Sequence, residues 1–406
     1  MRTRTWCVAA ALACLPRLAA AQTVLSEADA LARLSTDSPR VRAIRSAVDV
    51  TRAEGLAASR WPNPRVTYNR EAVAGVTEHM FLVTQPLPIT GRRGFDVEAA
   101  AALVTASQRR ADAELWQVRA ALRAAYADLV AAQVRESEIV ASRDRLRTLA
   151  GILARREAAG DAAGYDRLRA EREVMDLDAD LAAARTDRTR AQAGLAEFFD
   201  PSTDVTSLVA ADRSPSRIPL PSVEDMLARA QTALPELAAL RQEAASAEFA
   251  MHAAGRRPIP EPEIVAGTKS SNIGGGDIGS VFSVHVAVPL FDHAKPEQAL
   301  AEARRARADA QITAVQASLR TRLAALRAIV SERRQAADSY RESTAANATL
   351  LERIAQVSYD AGERGILELL DAYRNSGAAR IRQASLDVAA RQAEIELERV
   401  SGSEIR

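Results

Sequence analysis

The sequence predicts a mainly helical protein with a small β part, in which a helix–strand–strand–long helix–helix unit occurs twice. Three observations predict it. First, Val281–Phe291 alternates: Phe282, Val284, Val286, Val288 and Leu290 are apolar, while Ser283, His285 and Ala287 between them are small or polar. That is the period of a strand with one greasy face. Second, Pro296 opens a stretch rich in Arg, Ala, Glu and Leu that has no further proline, far longer than an average helix of about 11–12 residues. Third, Ser26–Pro64 aligns without a gap on Ser222–Pro260, placing Pro39 on Pro235, Arg45 on Arg241, Pro62 on Pro258 and Pro64 on Pro260. Further on, Phe81 matches Phe282, Pro88 matches Pro289, Gly160 matches Gly362 and Gly164 matches Gly365. Shared low complexity does not keep prolines and glycines in step, so the chain reads as a duplication.

In the first copy, residues 22–200, Ser26–Thr36 is a short amphipathic helix, and Ser38-Pro39 restarts it with serine as cap and proline in the first turn. It runs to Arg60, where Trp61-Pro62-Asn63-Pro64 stops it. Residues 65–73 alternate as a strand, a short loop near Ala74–Thr77 follows, and residues 79–87 form a second strand. Pro86, Pro88, Gly91 and Gly94 make the exit into a helix over Phe95–Ala159, interrupted only at Gly151. After the turn Gly160–Gly164 a further helix runs from Tyr165 to Phe199. Residues 201–221, with Pro215, Pro219 and Pro221, read as a connector. The second copy, residues 222–406, has a helix Ser222–Arg256 broken at Pro235, strands over 263–269 and 281–290, and a glycine loop between them. A long helix Ala294–Ala361, a turn Gly362–Gly365 and a last helix Ile366–Val400 complete it.

The lengths set the architecture. At 1.5 Å per residue the helix Phe95–Ala159 spans roughly 100 Å, and each shorter helix roughly 50 Å. One full-length helix can therefore lie against two half-length helices stacked end to end. Abundant alanine allows close approach, and Arg and Glu at mixed spacing suit solvated outer faces.

The start, residues 1–21, reads as an export signal: Arg2 and Arg4, the apolar run Trp6–Leu15, then Ala19-Ala20-Ala21 before Gln22. Lipidation at Cys14 is the alternative processing. Both cysteines, Cys7 and Cys14, fall inside this segment, so the processed chain has no thiol chemistry. Nothing after it approaches the ~18 apolar residues of a membrane helix. Net charge is +1, only Lys269 and Lys295 are lysines, and there is no basic tail or stripe, which argues against nucleic acid. Four strands of nine or so residues match outer-membrane barrel strands in length, yet a bilayer forbids open sheet edges and four strands cannot close. Three chains would pool twelve strands, an even number in the known range.

These features together resemble the outer membrane factor family, the TolC-like trimeric efflux ducts, over essentially all of Ser26–Gly402. Trp61–Pro64 and Gln85–Gly94 look most like the branch serving heavy-metal and cation efflux. Tyr359–Ala372 is similar to the family's tip motif at the periplasmic entrance. The resemblance implies a trimeric outer-membrane β-barrel continued by a long α-helical barrel, located in the outer membrane and reaching into the periplasm. It implies a periplasmic adaptor and an inner-membrane RND-type pump as partners, outer-membrane lipid around the barrel, and no cofactor. It implies a pore ring of Glu368 and Asp371, and gate links among Asp166, Tyr359 and Arg364. The adaptor-docking tips are then Gly160, Asp161, Gly164, Gly362, Glu363 and Gly365, and Asp161 departs from the family pattern, which has an apolar residue there. The lipid-facing strand positions are Val66, Tyr68, Phe282, Val284, Val286 and Val288.

Plainer readings stand beside these. Glu368 and Asp371 also suit a solvated helix face, and Arg364 suits bonding to carbonyls at a helix end. His79, His252, His285 and His293 are scattered and do not read as a metal site, and Gly274–Asp277 is a surface loop without the Lys-Ser/Thr of a phosphate cradle. No catalytic motif is identifiable. A duct for type I protein secretion would use the same architecture, and a non-channel periplasmic coiled-coil adaptor or tether is the rival from another class.

Overall fold

The structure is a computed structural model describing residues 24–34, 38–160, 164–211 and 218–405. The export signal, both cysteines and Asp161 lie outside the described residues. The chain opens with β1 (Val24–Leu25), α1 (Glu27–Arg33) and α2 (Pro39–Ala58). Then come β2 (Arg65–Val73), β3 (Val76–Pro86), α3 (Arg92–Ala158) and α4 (Gly164–Ala196). A short strand β4 (Val209–Ala210) leads to α5 (Val223–Ala233), α6 (Pro235–Arg256), β5 (Pro262–Ser271) and β6 (Ile278–Val286). The rest is α7 (Lys295–Tyr340), α8 (Ala346–Asp360) and α9 (Ile366–Ser401).

Local chemistry explains most of the ends. Ser26 and Ser222 each accept from the amide three residues on, at 3.1 and 3.0 Å, so both halves start a helix the same way. Pro39 does sit in the first turn of α2, but Ser38 makes no side-chain cap bond, contrary to expectation. The β2–β3 turn is only Ala74-Gly75, both with positive φ, the two-residue form that matches strand twist. The second strand therefore starts at Val76, not at 79. At the other hairpin β6 spans 278–286, not 281–290. Its partner β5 begins at Pro262, opposite Val286, and the prolines before it offer no ladder amide. Val288 thus lies beyond the strand. β5 itself is longer than read, 262–271 in place of 263–269.

The four long strands form one antiparallel sheet in the order β2-β3-β5-β6, so the pairing of β3 with β5 joins the two halves. Below the sheet α3 packs along α2 and α6, then along α4 and α9, while α7 packs on α6 and α9. One long helix does lie against two shorter ones. α3 is unbroken for 67 residues and passes through Gly151 without a break.

The second long helix is not continuous. A five-residue π-helical turn, Arg341–Ala345, separates α7 from α8. The Ser343 hydroxyl donates to the Ser339 carbonyl (2.6 Å) and the Asn347 amide to the Ser343 carbonyl (2.5 Å). Side chains thereby compete for two carbonyls of the α-helical ladder that lie one turn apart. Single hydroxyl bonds of this kind, such as Thr148 to Asp144, leave α3 intact.

At mid-height the N-terminal strand and the connector meet: β1 pairs in parallel with β4. The Gln133 side chain both donates to and accepts from Ala210 at 2.9 Å, acting as a third strand, and the Tyr126 hydroxyl reaches the Leu25 and Ala211 carbonyls. Leu122, Leu129, Leu195 and Phe198 form the core beneath. Here the expectation that charged residues stay on outer faces fails. Arg334, Glu394, Arg391, Glu27, Arg123 and Glu398 form a buried chain of alternating charge, with Arg334–Glu394 at 2.6 Å, Arg391–Glu394 at 3.0 Å, Arg391–Glu27 at 2.8 Å and Arg123–Glu27 at 2.6 Å. Arg123 also bonds Glu398. The chain ties α1, α3, α7 and α9 together.

Candidate functional site

Two surfaces carry the sequence-predicted residues: one face of the sheet and the two helix tips. The register decides the first. Val66 faces Val83, which faces Ala266, which faces Phe282; Tyr68 faces Phe81 in the row above, and Ile264 faces Val284 in the row below. Val66, Tyr68, Phe282, Val284 and Val286 therefore share one face, as expected, and Phe81, Val83 and Ile264 join them. The face is exposed, Phe282 by 72%. The other face carries Thr67, Asn69, Ser283 and His285, with ion pairs Glu78–Lys269 (2.7 Å) and Arg65–Glu263 (3.7 Å). Both faces are open in the single chain; one is mainly apolar, with Arg70 and His79 at its far end, and the other is mainly polar and charged. Gly267 allows the strands to close up: a Cβ there would lie 2.0 Å from the Phe81 carbonyl oxygen.

At the first tip α3 ends at Ala158, and Gly160, with φ of 81°, sends its amide back to the Glu157 carbonyl at 3.0 Å. Arg167 on α4 donates to Glu157 at 2.5 Å and to Glu171 at 2.8 Å, which staples the hairpin. At the second tip Gly362, with φ of 76°, donates to the Tyr359 carbonyl, and the Glu363 and Arg364 amides both reach the Ser358 carbonyl. Gly365 is extended and caps α9.

Of the three residues expected at the gate, Tyr359 and Asp166 lie within electrostatic range of each other and Arg364 stands apart. Tyr359 on α8 lies under the Arg156 guanidinium of α3, 5.9 Å from ring centre, and within the field of Asp166 on α4. Burial pushes its phenol above the usual range; the Asp166 charge adds to that and Arg156 opposes it. The Arg364 side chain is exposed and, among the described residues, forms no ion pair within the chain. Glu368 and Asp371 are both exposed on one face of α9, opposite buried Ile366, Leu369 and Leu370, and Asp371 accepts from Asn375 at 2.9 Å.

Sequence reasoning missed the residues that join the hairpins. Arg374 on α9 grips Glu173 on α4 with two nitrogens, one at 2.8 Å. Glu352 on α8 accepts from Ser376 and, at 3.1 Å, from Arg380, with Arg145 of α3 at 3.5 Å. Glu173 and Arg374 are 201 residues apart, and no local pattern marks either from the many other Arg and Glu. Among the described residues no cluster of metal-ligating side chains occurs, and no helix is long and apolar enough to cross a membrane.

No known family model matches the chain, and no characterised protein matches it in sequence. Solved structures do. The chain is similar to a membrane protein from Pseudomonas aeruginosa (TM-score 0.75, 19% identity, covering 93% of this chain and 90% of that one). It is similar to CusC, a structure described in terms of transmembrane channel formation (0.73, 15%, 93% and 92%). It is also similar to the outer membrane protein VceC from Vibrio cholerae (0.72, 15%, 94% and 97%). At such identities the shared property is the fold, and this chain has the fold of the outer membrane factor channels, the TolC-like architecture its sequence resembles.

Proposed function

We propose that the protein is the outer-membrane channel of a tripartite efflux system: a passive homotrimeric duct that docks a periplasmic adaptor joined to an inner-membrane RND-type pump. The observation that carries this reading is the open four-stranded sheet with an exposed apolar face. Among the described residues its outer strands β2 and β6 each lack a second partner, and in lipid such edges must be paired. Two neighbouring copies supply the partners on either side, and three copies close a twelve-stranded barrel. A second observation supports assembly. Exposed apolar stripes run down α4 (Tyr165, Leu168, Met175) and α8 (Leu350, Ile354, Val357) at the three-and-four spacing that packs helices side by side. The two halves, 22–200 and 222–406, act as duplicated copies whose helices together wall the periplasmic duct.

On this reading Glu368 and Asp371 form acidic rings at the entrance, where three like charges of each kind attract cations and repel one another. Tyr359 and Asp166 hold the tip within one copy, and Arg364 reaches toward the neighbouring copy's tip. Gly160, Gly164, Gly362, Glu363 and Gly365 present the docking turns to the adaptor. The cargo is a heavy metal or other cation, which the acidic entrance favours, or another small molecule.

The processed protein is expected to fractionate with outer membranes, to run as an SDS-resistant trimer and to give small, discrete conductances in planar bilayers. A water-soluble monomer without detergent would overturn the reading. Within a conducting trimer, Arg364→Ser is expected to raise single-channel conductance; an unchanged value would remove Arg364 from the gate.

A further inference from the structure

We propose that Arg70 and His79, side by side at the far end of the sheet's apolar face, hold the phosphate of a lipid headgroup in the outer leaflet of the membrane. The inference rests on the channel reading above. It takes the hairpin turns as the outward end of the sheet, because the opposite ends of the strands lead into α2, α3, α6 and α7.

The distribution of charge over the strands points to the site. By register, Tyr68 and Phe81 lie one row above Val66, Val83 and Phe282, and the next row on that face holds Arg70, His79, Ser270 and Ile278. The carboxylates of the long strands, Glu71, Glu78 and Glu263, all take the opposite face. There Lys269 pairs with Glu78 and Arg65 with Glu263. Arg70 therefore has no acid on its own face, and among the described residues it forms no ion pair. Assembly does not supply one. The β6 edge that a neighbouring copy lays against β2 offers Ile278, Ser280, Phe282, Val284 and Val286 on that face, none of them acidic.

Height fixes what the counter-charge is. The row of Arg70 includes Ile278, at the opposite end of β6 from Val286, about 27 Å away along the strand. A strand tilt of roughly 40° makes that about 21 Å in height. With Val288 and Leu290 exposed just beyond the strand, the row stands at the upper limit of an apolar band about 25 Å tall. An arginine costs little there, and the anions at that level are headgroup phosphates. The geometry suits one. Arg70 and His79 are exposed and directly opposed across the β2–β3 ladder, a spacing that lets two side chains share one group. The Tyr68 hydroxyl lies 2.8 Å from His79 Nδ1, and the two rings stack with centres 6.1 Å apart. When the hydroxyl donates to Nδ1, the ring proton sits on Nε2 and is free to donate outward. The guanidinium fork and the imidazole N–H can then reach separate oxygens of the same phosphate.

The test uses the trimer of the processed chain in mild detergent, with SDS-resistant assembly verified for each variant. Native mass spectrometry counts bound lipid A, the phosphorylated glycolipid of that leaflet. Wild type is expected to bind lipid A at one site per copy and to bind its dephosphorylated form about tenfold more weakly. Arg70→Gln should weaken lipid A binding about tenfold, and Arg70→Lys should restore part of the loss. His79→Phe, which keeps the ring and removes the N–H, should weaken it about threefold. Equal binding of the dephosphorylated lipid by wild type overturns the site without recourse to any variant. So does Arg70→Gln binding like wild type, or an equal loss from Arg65→Gln on the opposite face. Complete displacement of lipid A by millimolar inorganic phosphate would mark a site for free anions and overturn the lipid assignment. A wild-type chain that forms no trimer overturns the channel reading itself, whereas a trimer that fails only the lipid tests overturns only the site.

Discussion

The two hairpins at the lower end of the bundle have the same outline and different mechanics. In the first, α3 continues through the tip region as one 67-residue helix, and Arg167 staples it to α4 by bonding Glu157 and Glu171. In the second, the descending helix is already broken, at a point where Ser343 and Asn347 have taken two backbone carbonyls. Both share the apolar cluster of Leu146, Leu149, Leu153, Leu369 and Leu370. The difference teaches that two hairpins of one outline can hang one from a continuous helix and the other from a helix whose ladder is interrupted by a π turn.

The largest test of that contrast lies above both hairpins, where the buried charge chain welds α9 and α7 to α1 and α3. Glu394 is 1% exposed and bonds both Arg334 and Arg391, so Glu394→Ala leaves two guanidinium groups without their shared partner and should cost about 4 kcal/mol. Thermal unfolding in detergent would check it. A loss below about 1 kcal/mol would mean that the charge chain is not what holds α7 and α9 to α1 and α3.

Next in size is Leu369→Ala. This side chain is 1% exposed within the lower cluster, and its removal should cost about 3 kcal/mol. Hydrogen exchange should show where that loss is felt. Amides over α8 and the lower part of α9 should exchange faster, while those of α3 near Leu149 and Leu153 change little. Equal acceleration in both hairpins would erase the contrast between the continuous helix and the interrupted one.

A smaller effect is expected in the sheet that carries both halves. Gly267→Ala pushes a methyl group into the Phe81 carbonyl and should weaken pairing between β3 and β5 by about 2 kcal/mol. The readout is loss of the SDS-resistant species at a lower temperature, with the helical signal retained longer than the trimer.

The smallest concerns Asp128 on α3, which burial pushes above the usual carboxylate range while the Gln392 amide, 2.7 Å away, pulls it down. A carboxyl whose folded value is raised binds more protons folded than unfolded, so it subtracts stability as pH rises through that range. Asp128→Asn should therefore raise Tm at neutral pH by about 1 °C, with the gain disappearing at acid pH once the carboxyl is protonated. Because Asp128 lies on the continuous helix α3, exchange in α8 should not respond.

Strand positions, helix starts and tip turns were readable because each is set within a few residues. Proline at 62, 64, 258 and 260 removes ladder donors, serine at 26 and 222 caps a helix, and glycine at 160 and 362 takes a left-handed backbone. Alternation likewise placed Val66, Tyr68, Phe282, Val284 and Val286 on a common face. It overran at Val288, because a strand ends where its partner ends, and that partner is set by Pro262. The break at Arg341–Ala345 escapes the sequence reading because serine and asparagine in a helix are ordinary until their side chains capture carbonyls one turn apart.

The sequence by itself determined the periodicities, the helix lengths and the punctuation, and with them a bundle of long hairpins under a small sheet. Only the tertiary structure decided which of the many arginines and glutamates meet. Charge pairing between helices depends on where distant faces come to lie, so Arg123 with Glu27 and Glu398, or Arg374 with Glu173, cannot be told from their exposed neighbours until the backbone brings them together.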